Sequence, residues 1–129
     1  MQDADFPMKC IDDTLKGTAL WKWNICILQG AERVEKPWTK TKHYKEWMEE
    51  IGFVDVEEVI LPWPINTWPR DLHLKTLGLW FQHDLLEGLN STTALLTRGL
   101  GWSIEEVEAL LVDVRKDIEN RHVHAYAPM

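Results

Sequence analysis

Apolar positions recur at three- and four-residue steps early in the chain. Leu20, Trp23, Ile27, Ala31 and Val34 fall on one face of a helix that Pro37 ends. Asp12, Asp13 or Thr14 stands ahead of it as a candidate cap. Residues 1–12, with Pro7, read as polar and irregular. A second helix starts at Thr39 or Thr41 and carries Tyr44, Trp47, Met48 and Ile51 on one side. Gly52 follows where a left-handed residue closes a helix.

The period changes there. Phe53-Val54-Asp55-Val56-Glu57-Glu58-Val59-Ile60-Leu61 is rich in β-branched residues and roughly alternates, which predicts a strand with a partly wet face. Pro62, Pro64 and Pro69 then remove backbone donors in close succession. Residues 62–69 therefore read as an ordered, aromatic-rich loop without regular structure. Residues 72–98 return to a helical period, with Leu74, Leu77, Phe81, Leu85, Leu89, Thr92 and Leu96 in one stripe. Gly78 and Gly88 inside that stripe each cost about 1 kcal/mol against Ala, which predicts a kink or close packing. Gly99 and Gly101 break the helix. Ser103-Ile104-Glu105-Glu106 spells a capping box, opening a helix with Ile104, Val107, Leu110, Leu111, Val114 and Ile118 on one face and Asn120 at its end. His122-Val123-His124-Ala125-Tyr126 reads as a short last strand.

The chain has 129 residues, enough for one modest core. Its 14 basic and 21 acidic residues give a net charge of -7, which disfavours a nucleic-acid backbone or an anionic membrane surface. No apolar run approaches the ~18 residues a membrane span needs. The N-terminus has neither the apolar core of a secretory signal nor the arginines of a transit peptide. Cys10 and Cys26 make no disulfide framework and no zinc spacing, so they read as buried, reduced thiols. These features place the protein inside the cell, in cytoplasm or nucleus.

Candidate chemistry is sparse. Gly99-Leu100-Gly101 lacks a preceding strand and a third glycine, so it reads as a helix-to-helix turn rather than a phosphate loop. His122 and His124 point the same way on a strand, but nothing in the spacing supplies a third metal ligand; packed or solvated histidines are the commoner case. The carboxylates fall mostly on polar helix faces. Of the eight tryptophans, most read as core, while Trp63 and Trp68 lie in the proline-braced loop, where rings pack inward or wall a pocket.

The order of these pieces resembles the C-terminal part of fungal LaeA-like methyltransferases, S-adenosylmethionine-dependent enzymes of class I linked to secondary metabolism. Met1-Gln2-Asp3-Ala4-Asp5 resembles the end of that family's fifth strand. Asp12-Asp13-Thr14-Leu15 resembles an Asp-Asp-Gly-Thr-Leu pattern without its glycine. Residues 44–53 resemble the helix and turn before the sixth strand. Trp63-Pro64-Ile65-Asn66-Thr67-Trp68-Pro69-Arg70, with Lys75 and Gly78, is the most specific segment. Val114-Arg115 through His124-Ala125-Tyr126 resembles the last helix and seventh strand.

The resemblance implies an α/β chain, residues 1–129 forming one partial domain. It would be the C-terminal fragment of a Rossmann-like methyltransferase fold, mostly helical with one antiparallel strand pair. The Gly-rich loop and acidic strand end that hold S-adenosylmethionine in the intact family have no counterpart here. The expectation is therefore a truncated transferase that binds no cofactor itself, starting at an internal Met and clipped after Met129. Its substrate-side walls would include Trp63, Asn66, Trp68 and Trp80, with no catalytic residue assigned. The acceptor would be a small molecule or a protein. The alternative is a non-catalytic interaction module that pairs with a full-length methyltransferase or a regulatory partner, or with itself. The last strand, left with an unpaired edge, would serve that pairing.

Overall fold

The computed structural model describes Asp3 and residues 6–129. Apart from Asp3, the opening segment read as the end of a fifth strand lies outside the described residues. Asp12 does not cap the first long helix. Its side chain instead accepts from the Thr14 backbone N–H and opens a 3-10 turn at Asp13–Leu15. Gly17, at φ 79, reverses the chain. Thr18 then caps helix α1 (Ala19–Arg33) by accepting from the Trp21 N–H.

The core lies between α1 and helix α4 (Ile104–Glu119). Leu20, Trp23, Ile27 and Ala31 on α1 are buried with Val107, Leu111, Val114 and Ile118 on α4. Full burial of a Leu, Ile or Val side chain stabilises by about 1.5–3 kcal/mol. The capping box of α4 is present in both directions: Glu106 N–H donates to Ser103 Oγ, and Ser103 N–H donates to the Glu106 carboxylate. Ile104 departs from expectation: in the first turn, beside the cap, it is exposed. Asp117 on α4 accepts from the Leu20 N–H at 3.0 Å and ties the two helices at their ends.

The stripe over residues 72–98 is not one helix. Helix α3 (Leu72–Gly88) gives way to a 3-10 turn at Leu89–Thr92 and a π-helical turn at Leu95–Gly99. Gly88 is the last residue of α3, and Gly78 is buried in its middle. Gly99 abuts α1: a β-carbon there would lie 2.6 Å from the Gly30 carbonyl oxygen. Helix α2 (Tyr44–Glu50) follows a 3-10 turn at Thr41–His43 and ends before Gly52, at φ 103, as expected. Its apolar side stays shallow, since no α2 residue is buried and Ile51 is exposed. Among the tryptophans Trp23 is buried and the half-buried Trp21 and Trp102 pack against the core, whereas Trp38, Trp47 and Trp80 are exposed and the core reading fails for them.

The strands differ most from expectation. Residues 53–61 form no strand. Instead β2 is Pro62–Pro64, inside the segment that the prolines were expected to keep irregular. The last strand, β3, is Ala125–Pro128 rather than residues 122–126. Lys9–Cys10 adds β1. Among the described residues these make one antiparallel sheet of order β1-β3-β2, three strands where one pair was expected. The last strand is therefore the middle one, with no free edge.

Register explains why prolines are tolerated. Leu61 and Met129 exchange both backbone bonds, at 2.8 and 2.9 Å. Bonded pairs alternate along an antiparallel ladder, so Pro62 opposite Pro128 and Pro64 opposite Tyr126 are non-bonded positions. On β2 the missing N–H groups at 62 and 64 fall on the outer edge, where no strand needs them.

Candidate functional site

Two strands of the sheet, β1 and β2, run parallel to each other with β3 reversed between them. The chain leaving their carboxyl ends carries Asp12 on one side and Asn66 and Trp68 on the other, and the residue entering β3 at that end is His124. These side chains converge. Asp12 Oδ2 lies 2.6 Å from His124 Nδ1. Asp12 Oδ1 accepts from the Thr14 N–H at 3.0 Å, the Thr14 hydroxyl at 2.6 Å and the Cys10 thiol at 3.2 Å. Thr14 Oγ1 in turn accepts from the His124 N–H at 2.9 Å. The Trp68 ring packs on the His124 ring at 5.4 Å between centroids.

Hydrogen bonds from Thr14, and then the one from His124, hold the Asp12 carboxyl well below the usual carboxylate range. The carboxylate fixes His124 through Nδ1, leaving Nε2 with no hydrogen bond among the described residues. A carboxylate-oriented imidazole of this kind can hold or pass a proton at Nε2. No cluster of three or more His, Cys, Asp or Glu among the described residues is placed to hold a metal ion. Both cysteines are free and half-buried rather than buried. Burial raises the Cys26 thiol, and the nearby Lys22 partly opposes that.

The four expected substrate-side residues do not form one wall. Asn66 is fully buried and spends its amide on structure. Its Nδ2 donates to the carbonyls of Ile118 at 3.0 Å and Asn120 at 3.1 Å, and its Oδ1 accepts from the Trp68 N–H at 2.9 Å. Trp68 is half-buried, with Nε1 donating to the Ala125 carbonyl at 2.9 Å. Trp63 meets Phe81 of α3 edge to face at 5.8 Å. Trp80 stands on the outer side of α3, 66% exposed. Only Asn66 and Trp68 meet, and of these only the Trp68 ring reaches the Asp12–His124 pair. Sequence reasoning treated Asp12 as a cap and His124 as a packed or solvated histidine rather than a metal ligand, and its packing on Trp68 agrees. Their pairing spans 112 residues, and no local pattern carries it. The Asp12-Asp13-Thr14 word was the one available signal.

The chain is similar over its whole length to fungal proteins. A probable methyltransferase, tdiE, of Emericella nidulans is 33% identical over 131 residues, which is 100% of this chain and 41% of that protein. A secondary metabolism regulator, laeA, of Monascus pilosus is 31% identical, covering 96% of this chain and 34% of the relative. The protein-methionine methyltransferase laeA of Emericella nidulans is 28% identical over the same shares. The chain thus spans between a third and two-fifths of the length of these relatives. No family model matches the chain. No solved structure matches it.

Proposed function

Starting from a chain that is LaeA-like over its whole length and matches a C-terminal part of such methyltransferases, we propose that it is the acceptor-side portion of an S-adenosylmethionine-dependent methyltransferase of fungal secondary metabolism. We place the donor-binding half outside these 129 residues. The observation that carries this reading is the whole-chain identity to a probable methyltransferase.

The sheet supports it. Of the segments that resemble family strands, the one resembling the seventh lies in the sheet as β3, between β1 and β2. Further strands of a Rossmann-like sheet would join along β1, because the prolines withhold donors from the outer edge of β2. Ligands of open α/β sheets bind beyond the carboxyl ends of the parallel strands. At that end this chain presents Asp12, His124 and the Trp68 ring, which would face the acceptor. S-adenosylmethionine, bound in an intact relative, supplies the methyl group; His124 orients or deprotonates an acceptor there. Trp63 and Trp80 remain proposed substrate contacts, and Asn66 would act by holding Trp68. The acceptor is a small molecule or a protein, and the name of one relative as a protein-methionine methyltransferase favours a protein. The compartment is intracellular.

Isothermal titration of the 129-residue chain with S-adenosylmethionine tests the division of labour. No binding is expected; micromolar binding would overturn it. A second reading is an interaction module that pairs with a full-length methyltransferase or a regulator. The exposed apolar side chains of Ile51, Phe53, Val54, Val59, Ile60 and Leu61 favour it.

A further inference from the structure

The His124 ring is held at every polar position but one. Its backbone N–H donates to Thr14 Oγ1 at 2.9 Å, and Nδ1 lies 2.6 Å from Asp12 Oδ2. Thr14 Oγ1 also donates to Asp12 Oδ1, so one hydroxyl sets both the carboxylate and the His124 backbone. The Trp68 ring packs on the imidazole at a 49° tilt and is itself pinned by the bond from its Nε1 to the Ala125 carbonyl. The Cys10 thiol, 3.2 Å from Asp12 Oδ1, is the other ionisable group bonded into this frame. An ionised carboxylate can only accept, so the bond at Nδ1 assigns the ring proton to that nitrogen and the lone pair of the neutral ring to Nε2. Nε2 has no hydrogen bond among the described residues, and 32% of the side chain is open.

We propose that the Asp12–His124 pair serves an acceptor that loses a proton as it is methylated, and that the acceptor group is a phenolic hydroxyl. The acceptor O–H bond breaks, its proton bonds to His124 Nε2, and the oxygen keeps the electron pair that takes the methyl group. The ring becomes an imidazolium, its charge facing the Asp12 carboxylate. A thioether has no such proton. Alkylated at sulfur it becomes a sulfonium, so a base beside it has nothing to accept, and an imidazolium there would repel the new cation. A phenol ionises near about pH 10, far closer to an imidazole than an alkyl alcohol does, which favours the phenol as proton donor. The Trp68 ring beside His124 points the same way, because it offers an aromatic acceptor a stacking or edge contact. His124 is then the catalytic residue, and Asp12 is a positioning residue that acts through it. This inference rests on the acceptor-side reading and deepens it by naming the acceptor group.

The test uses the 129-residue chain with two probes: 4-nitrophenol, whose ionisation shows in its absorbance, and N-acetylmethionine methylamide. Nitrogen NMR of the free chain should find the His124 ring proton on Nδ1 and Nε2 bare. Bound 4-nitrophenol should absorb as phenolate at a pH where the free phenol is neutral, and His124 Nε2 should then gain a proton. The thioether should leave both ring nitrogens unchanged. Asp12→Asn, with its fold checked by circular dichroism, should let the ring proton spread over both nitrogens and cut the bound phenolate at least about tenfold. If that variant does not fold, the wild-type nitrogen signals still decide. A resting proton on Nε2, a bound phenol that stays neutral, an equal response to the thioether, or an unchanged phenolate signal in folded Asp12→Asn would each overturn the acceptor assignment alone. Failure of both probes to bind would overturn the acceptor-side reading with it. Micromolar binding of S-adenosylmethionine, by contrast, would overturn the division of labour and leave the acceptor assignment standing.

Discussion

Gly78 of α3 and Asn66 beyond β2 meet backbone to backbone: a β-carbon on Gly78 would stand 2.1 Å from the Asn66 carbonyl oxygen. No side chain can yield at that contact, because the opposing atom is main chain. Gly78→Ala must push α3 off the sheet and disturb the segment that carries Trp68. The expected loss is about 2–4 kcal/mol, read by urea denaturation. Gly88→Ala is the control. A β-carbon there meets nothing within 4 Å, and its φ of -77 is helical. It should be neutral or stabilising by up to about 1 kcal/mol.

Those two glycines mark how far the chain could be read from its pattern. Both were visible as interruptions of a helical stripe, but which one packs and which one kinks depends on what lies opposite. The capping box at Ser103 and the buried faces of α1 and α4 were legible because they are local and periodic. The sheet was not. Residues 53–60 have strand propensity but pair with no strand among the described residues, while β2 forms over prolines because its register leaves their positions unbonded. Propensity ranks residues, and pairing decides strands. The Asp12–His124 pair was hidden for the same reason, being a contact between distant segments.

The acid limb of stability should report on Asp12. Its carboxyl titrates well below the ordinary range when folded, through hydrogen bonds from Thr14 and from His124. A group depressed in the folded state stabilises above its unfolded value, and that contribution fades as pH falls toward the folded one. Wild-type protein should therefore lose stability as pH drops through and below the usual carboxylate range. Asp12→Asn should show a shallower loss over that window and lower stability at neutral pH. Chemical denaturation at a series of pH values checks this; parallel curves for the two proteins would contradict it.

A buried polar tie joins α1 to the turn after α3. Trp23 Nε1 donates to Thr92 Oγ1 at 3.1 Å, and that hydroxyl donates to the Leu89 carbonyl at 2.7 Å. Thr92→Val keeps the volume and removes the acceptor, leaving a buried indole N–H unmet. The expected cost is about 1–3 kcal/mol, measured by thermal or urea unfolding. Thr92→Ser keeps the hydroxyl and should recover most of it.

Asn66 and Trp80 test which of the expected contact residues the fold itself needs. Asn66 answers two carbonyls at the end of α4 and the Trp68 N–H, all at a fully buried amide. Asn66→Ala would strand those groups at once, so a loss of about 2–4 kcal/mol is expected. The fluorescence of Trp68 should also change, because its loop is no longer held against Ala125. Trp80, exposed on α3, should tolerate Ala within about 0.5 kcal/mol. Acceptor binding by an assembled enzyme would then separate the roles. Trp80→Ala should weaken binding while the fold stays intact, whereas any binding defect of Asn66→Ala should track its lost stability and be relieved by lowering the temperature. If Trp80→Ala unfolds the chain, its ring belongs to the structure and not to the acceptor face.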